Sequence, residues 1–365
     1  MAANFDLSAM ALQAVCPSNE ILYDKLGMPS IMVKIPKLTY AQLGMGESTA
    51  VHPAFIINGS EVDAIYISKY QNIIQNSLAY SLPGCDPRAQ ITFDAAKTAC
   101  EGKGDGWHLM TRMEWGLIVR WCQKNGVMPL GNNNYGKHSS EMVYKAIPTY
   151  GADDTHYACR VATGTGPLTW YHDQTPSGIA DLCGNVWEWT GGVRTVYGEL
   201  QVLANNNGAD SAKSQSATST VWMAIRASDG ELIEPNGSGT TPGSVKMDWI
   251  SSKLTYSTSK TNDTGSGSST YSSCTFANIV CDSTIGDNAK LLLQNLGMLM
   301  YGSSAELFSS HQCYFDNTQA ERLFSSGGGW NLSSSGLASF FGYNPRSRSD
   351  AYIGFRSAYV KLPTA

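Results

Sequence analysis

The stretch DDTHYAC at 153–159 gathers Asp153, Asp154, His156 and Cys159, residue types that coordinate zinc and similar metals. A solvated loop with a packed thiol is the plainer reading of the same residues. HQC at 311–313 adds a thinner pair, His311 and Cys313. The histidines, at 52, 108, 138, 156, 172 and 311, are dispersed, so no histidine-rich iron site is expected. Nine cysteines stand at 16, 85, 100, 122, 159, 183, 274, 281 and 313, odd in number, irregular in spacing and without a C-x-x-C. Most read as reduced thiols of a chain folded in a cytoplasm, with Cys274 to Cys281 the one bridge left open. Neither a phosphate-binding loop, nor a dinucleotide fingerprint, nor a Ser-His-Asp set is recognisable.

A different chemistry is written near the C-terminus, where SSGGGWNLSSSGLASFFGYNPRSRSDAY spans 325–352 and IGFRSAYVKL follows. The window holds 8 Ser and 5 Gly with scattered Phe, Tyr, Asn and Arg, and no Lys, Glu, Gln or Met. Tyr, Ser, Gly and Asn with an occasional Trp or Arg is the mixture of a recognition surface: rings give contact area at low entropic cost and hydroxyls adapt. Arg346 and Arg348 add forked donors. Leu337, Phe340, Phe341 and Tyr343 make the window too apolar for a plain Gly/Ser linker.

The elements that must position this window read as follows. IMVKI at 31–35 is a strand, and FIINGSEVDAIYISKYQ is a hairpin turned at Asn58-Gly59. TFDAAKTACEGKG is a helix. TRMEWGLIVRWCQKNG is a second, opened by a Thr111/Glu114 capping box and closed at Gly126. Trp115, Ile118, Val119 and Cys122 share its apolar face. GNVWEWTGG at 184–192 is a strand with Val186 and Glu188 on one side and Trp187 and Trp189 on the other. From about 205 to 275 the chain turns Ser/Thr/Gly/Asn-rich around pieces such as TVWMAI, an insertion of loops and small strands. AKLLLQNLGMLM is a short helix.

With 42% apolar residues the chain can bury a core, and with 15% charged residues and a net charge of −5 it has no basic stripe for nucleic acid. No run approaches a membrane span, and the first twenty residues lack the basic and apolar regions of a signal peptide.

Three motifs stand in order: VDAIYISKYQ at 62–71, GIADLCGNVWEWTGG at 178–192 and GGGWN…RSRSDAYIGFRSA at 327–358. With GWHLMTRMEW before the second helix, they resemble the formylglycine-generating-enzyme type of C-type lectin fold, over roughly 50–194 and 320–360. Within that group the chain is most similar to the variable proteins of diversity-generating retroelements. The resemblance implies an α+β fold with two helices, small twisted sheets, much irregular structure and a Ser/Gly-rich insertion. It divides the chain into a leader at 1–50 packed on a domain at 51–365, with the insertion at about 195–320 and the variable region at about 325–358.

The same resemblance implies a receptor-binding protein of a phage tail or a bacterial display protein. It would contact a protein or glycan receptor, with no nucleic-acid partner, no membrane insertion and an oligomeric state open up to a trimer. In that family, asparagine codons are rewritten at adenines. Such changes in AAC reach neither Lys, Glu, Gln, Met nor Trp; the first four are absent from the window, and its one Trp, Trp330, matches a fixed position of the family pattern. The positions expected to be exposed and diversified are Ser325, Gly329, Leu332, Ser335, Phe341, Tyr343, Asn344, Arg348, Asp350, Ala351 and Tyr352. Trp187, Trp189, Trp330, Gly354, Phe355 and Arg356 are the expected frame.

Two rivals stand beside this reading. One is a structural virion or assembly protein whose Ser-rich insertion, not the window, makes the contacts. The other is the oxidase activity of this fold, which uses two closely spaced cysteines shortly before G-F-R, where FFGYNPRSRSDAY holds none. No cofactor is expected. Glu188 is the weak candidate for a structural calcium ligand, against a plainer role as partner to backbone groups or an Arg. EPN at 234–236 and WN at 330–331 mimic the calcium-dependent sugar motif of animal C-type lectins. Their distance in sequence and the turn chemistry of Pro-Asn-Gly make this a coincidence.

Overall fold

A computed structural model describes residues 7–153, 155–265, 269–303 and 305–363. Its helices begin where the local chemistry asks. Thr92 caps α2 (Phe93–Glu101) by accepting from the Ala95 N–H. Thr111 Oγ1 accepts from the Glu114 N–H at 3.1 Å while Glu114 Oε2 accepts from the Thr111 N–H at 2.9 Å, completing the expected box at the head of α3 (Arg112–Asn125). Gly126 ends α3 in the left-handed region, φ 66°. Among the described residues four helices stand where the resemblance implied two: α1 (Leu7–Val15), which sequence reading left unassigned, and α4 (Asp287–Asn295), which overlaps the short helix expected at AKLLLQNLGMLM, join α2 and α3.

The Asn58-Gly59 turn, φ 50° and 79°, joins strands of only two residues, Ile56–Ile57 and Ser60–Glu61. The strand that follows, Ala64–Ser68, leaves that hairpin. It pairs with Pro29–Pro36 on one side and Ser357–Tyr359 on the other. The resulting five-stranded sheet runs Asn19–Tyr23, Pro29–Pro36, Ala64–Ser68, Ser357–Tyr359, Trp107–Leu109. Ile65 and Ile67 point into the core beneath it.

The second large sheet has twelve strands, not the small sheets expected. Its main path runs Ser272–Thr275, Gln312–Phe315, Phe340–Asn344, Arg322–Ser326, Trp187–Val196, Glu199–Val202, Lys246–Ile250, Lys253–Ser257, Ile279–Cys281. Met223–Ile225 and Leu232–Ile233 extend it beside Glu199–Val202, and Ile353–Phe355 lies parallel to Trp187–Val196. Strands of the Ser-rich segment thus lie towards both ends of this sheet, while the GNVWEW strand itself pairs with Arg322–Ser326, Ile353–Phe355 and Glu199–Val202. The first and last strands of the path are separated in sequence by the single turn Phe276–Asn278, so the sheet curls until its ends meet. Inside the curl and against α3 and α4 lies the main core, including Trp115, Tyr256, Phe276, Phe315 and Phe324. A second cluster, around Phe93, Trp187, Trp189, Phe341, Ile353 and Phe355, lies under the window.

The last strands of the chain join the two sheets. Ile353–Phe355 belongs to the large one and Ser357–Tyr359 to the five-stranded one, with Arg356 between. Arg356 is fully buried and meets Glu188 in a bidentate ion pair, Nε to Oε2 at 2.5 Å and Nη2 to Oε1 at 2.7 Å. Its remaining donors reach the Ser68 and Ala180 carbonyls.

Candidate binding face

The floor of the face is set by strand alternation. Trp187 and Trp189 turn to the side opposite Glu188 and are buried. Trp189 Nε1 donates to the Ile91 carbonyl at 2.9 Å, and its ring meets Phe93 edge-on at 5.9 Å. Trp187 stacks on Phe341 at 3.8 Å. Phe341 continues the contact to Tyr314 at 4.7 Å and Tyr343 at 4.9 Å, and Tyr343 stacks on Tyr271 at 4.5 Å. Leu332 and Tyr352 pack on the same cluster. Arg348 Nη2 donates to the Tyr352 hydroxyl at 3.1 Å and pairs with Asp350 at 2.5 Å. Burial raises the Tyr343 and Tyr352 hydroxyls above their usual range, so both stay protonated donors.

The surrounding loops hold the window through its main chain. Asn133 Nδ2 donates to the Ser333 and Ser335 carbonyls, both at 3.1 Å. The Tyr135 N–H reaches the Trp330 carbonyl at 2.9 Å, and the Gln90 N–H the Asp350 carbonyl at 2.9 Å. Arg160 Nη1 reaches the Ala351 carbonyl at 3.0 Å, and the Trp187 N–H the Tyr352 carbonyl at 2.7 Å. Acceptors of this kind exist whatever side chain the window carries.

Of the eleven positions expected on the surface, Arg348 is exposed and Leu332, Tyr343, Asp350, Ala351 and Tyr352 are half-buried. The exposure expected of Ser325, Gly329, Ser335, Phe341 and Asn344 is corrected: all five are buried. Phe341 is covered by Trp187, Tyr314 and Tyr343, and Ser325 and Asn344 are buried within the large sheet. Ser335 closes a turn by donating Oγ to the Leu332 carbonyl at 2.7 Å. At Gly329 a Cβ would stand 3.0 Å from Trp187 Cδ1 and 3.3 Å from Tyr352 Cβ, so a side chain there must displace a ring. Arg346 is likewise no free fork: Glu321 and Asp94 engage its guanidinium, which lies over Phe93.

The expected frame is buried except Trp330, which is half-buried with its ring 5.2 Å from Tyr135. Phe355 belongs to the cluster under the window. Gly354 permits a close crossing, since a Cβ would lie 2.6 Å from the Arg88 carbonyl. Tyr271 and Tyr314 escaped the sequence reading. Tyr271 sits in a Ser/Thr-rich stretch and Tyr314 in HQCYFDN; the strand pairing of each joins residues distant in sequence, and an isolated tyrosine carries no local signal of it.

All nine cysteines are free, including Cys274 and Cys281, the bridge left open by the sequence. Cys274 stands opposite Cys313 across neighbouring strands, but the sulfurs turn to different carbonyls, Asn278 and Ala338. Burial pushes the Cys183 thiol up to about 12 and Cys281 up to about 11, so neither supplies a thiolate near neutrality. His172 and His311 are pushed down to about 4 by burial. Among the described residues no group of three His, Cys, Asp or Glu is placed to hold a metal. In DDTHYAC, Asp154 lies outside the described residues, His156 stacks on Tyr135, and Cys159 donates to the Gly151 carbonyl. Glu188 uses both oxygens on Arg356, with Gln71 as a further donor to Oε1 at 3.0 Å. Glu234 and Pro235 of EPN line a separate cleft of about 410 Å³ with Arg194, Trp222 and Glu321, and neither Trp330 nor Asn331 lines it.

No family model matches the chain. An inactive C-alpha-formylglycine-generating enzyme 2 of Bos taurus is 29% identical over 104 residues, 28% of this chain and 32% of that protein. The chain thus spans about a third of the length of this curated relative. Among solved structures, PvdO from Pseudomonas aeruginosa aligns with 94% of this chain and 98% of that one at 13% identity. Its TM-score of 0.32 is too low to carry an argument. The chain is an α+β protein with irregular mixed sheets, similar over part of its length to formylglycine-generating-enzyme-like proteins, and it lacks their catalytic cysteine pair.

Proposed function

We propose that the chain is a non-catalytic binding protein on a formylglycine-generating-enzyme-like scaffold, and that the face built from Leu332, Tyr343, Arg348, Asp350, Ala351 and Tyr352 meets a target while a retroelement rewrites it. The observation that carries this reading is the mode of holding. Loops and neighbouring strands grip the window at the carbonyls of residues 330, 333, 335, 350, 351 and 352. At Asp350, Ala351 and Tyr352, which are half-buried, a changed side chain leaves these backbone bonds in place. The missing Lys, Glu, Gln and Met fit the same restricted alphabet.

Deep sequencing of this gene across a population tests the reading. Substitutions should gather at asparagine-derived codons for the six outer positions. A reverse-transcriptase gene and a second copy of 325–358 differing at adenines should lie nearby. Variation spread evenly along the chain, with no such copy, rejects diversification.

A second reading keeps the scaffold and makes the face invariant. The curated relative is, by its name, an inactive formylglycine-generating enzyme. An unvarying window in the sequenced population favours it.

A further inference from the structure

The aromatic face continues past the window. Tyr271, 38% exposed, precedes the Ser272–Thr275 strand, and half-buried Tyr314 lies on Gln312–Phe315 beside Phe340–Asn344. Tyr271 meets Tyr343 nearly ring to ring, 18° between planes, and meets Tyr314 edge-on at 5.9 Å. Tyr314 lies 6.4 Å from Tyr343. Four tyrosines and Arg348 therefore form one patch, of the residue types that dominate binding energy in protein interfaces. Two of the five come from outside the region that diversification would rewrite.

We propose that Tyr271 and Tyr314 are permanent anchors of this face, and that the face takes a polypeptide segment rather than a sugar. The proposal rests on the reading of the window as a target-binding face. The patch is tyrosine-rich with a single Arg, the mixture that carries recognition of polypeptides, and Tyr271 and Tyr314 extend it without interruption beyond Tyr343. Arg348 is balanced by Asp350, so the patch does not call for an anionic target. Fixed tyrosines supply contact area at low entropic cost, and the rewritten positions then choose among partners.

The test uses the whole chain, a displayed library of random dodecapeptides and a panel of immobilised oligosaccharides. A selected peptide should bind the wild-type chain, lose binding on Tyr343→Ala, and bind about tenfold more weakly to Tyr271→Ala and Tyr271→Thr. Both Tyr271 variants should show an unchanged unfolding midpoint. Hydrogen exchange on the wild-type chain gives a check free of substitutions: the peptide should slow exchange at 269–275 as well as 340–344. Loss on Tyr343→Ala and Tyr352→Ala, with Tyr271 variants within about twofold and no protection at 269–275, overturns the anchors and leaves the binding face standing. Peptides indifferent to all four tyrosines overturn both. An oligosaccharide whose binding depends on Tyr271 overturns the polypeptide assignment.

Discussion

Asp181 shows how single residues of the frame are held at some expense. Its backbone is left-handed at φ 59°, Oδ2 accepts from the Gly164 N–H at 2.8 Å, and Oδ1 is buried without a partner. Burial raises this carboxyl to about 6. An acid whose folded value lies above its unfolded one, near 3.8, keeps its proton longer in the folded chain. Its contribution is therefore full below about pH 3.8 and is lost as pH rises towards 6, a difference on the order of 3 kcal/mol at most. Asp181→Asn suits the left-handed backbone and removes the titration. Chemical unfolding from pH 4 to pH 7 should show a decline in the wild-type chain that the variant lacks; equal slopes would refute the assignment. At this scale the sequence was informative about types and poor about exposure. Trp187, Trp189 and Arg356 sit where strand alternation and the G-F-R motif put them. Phe341 and Asn344 do not, because burial there depends on which strands lie alongside.

Elements divide in the same way. The Thr111/Glu114 box, the Asn58-Gly59 turn and the Gly126 stop are local devices, and each is present as read. The twelve-stranded sheet was not legible, because pairs such as Cys274 with Cys313 or Leu254 with Ile279 join segments that look like loops in a Ser/Thr/Gly background. The holding of the window by Asn133 belongs to this scale. Asn133→Ala removes two hydrogen bonds, one to each of the Ser333 and Ser335 carbonyls, which keep only Ser139 Oγ and Cys183 Sγ as donors, at about 1–3 kcal/mol of stability. The loss should appear as a lower urea midpoint. Hydrogen exchange should quicken at 331–336 and stay unchanged in α3. A midpoint equal to wild type would show that these bonds do not hold the loop.

For the whole molecule, the decisive segment is the last one. Residues 353–359 place one strand in each sheet, and Arg356 between them engages Glu188, Ser68 and Ala180. Ending the chain at Pro345 removes both strands and leaves Glu188 buried without its cation. Loss of one partner alone from such a pair costs about 3–5 kcal/mol. The shortened chain should show no cooperative thermal transition by circular dichroism. A sharp transition near that of the full chain would mean that the two sheets hold together without this segment.

The placement of Phe340–Asn344 between Gln312–Phe315 and Arg322–Ser326 has one more consequence. Rewriting side chains on a strand with an open flank risks self-assembly, because a hydrophobic draw beside unpaired N–H and C=O groups invites other copies to add on and grow into fibrils. Here both flanks of the strand are occupied by the chain's own backbone. Under the diversification proposed above, an unfavourable side chain on this strand would then make a poor binder without templating an aggregate.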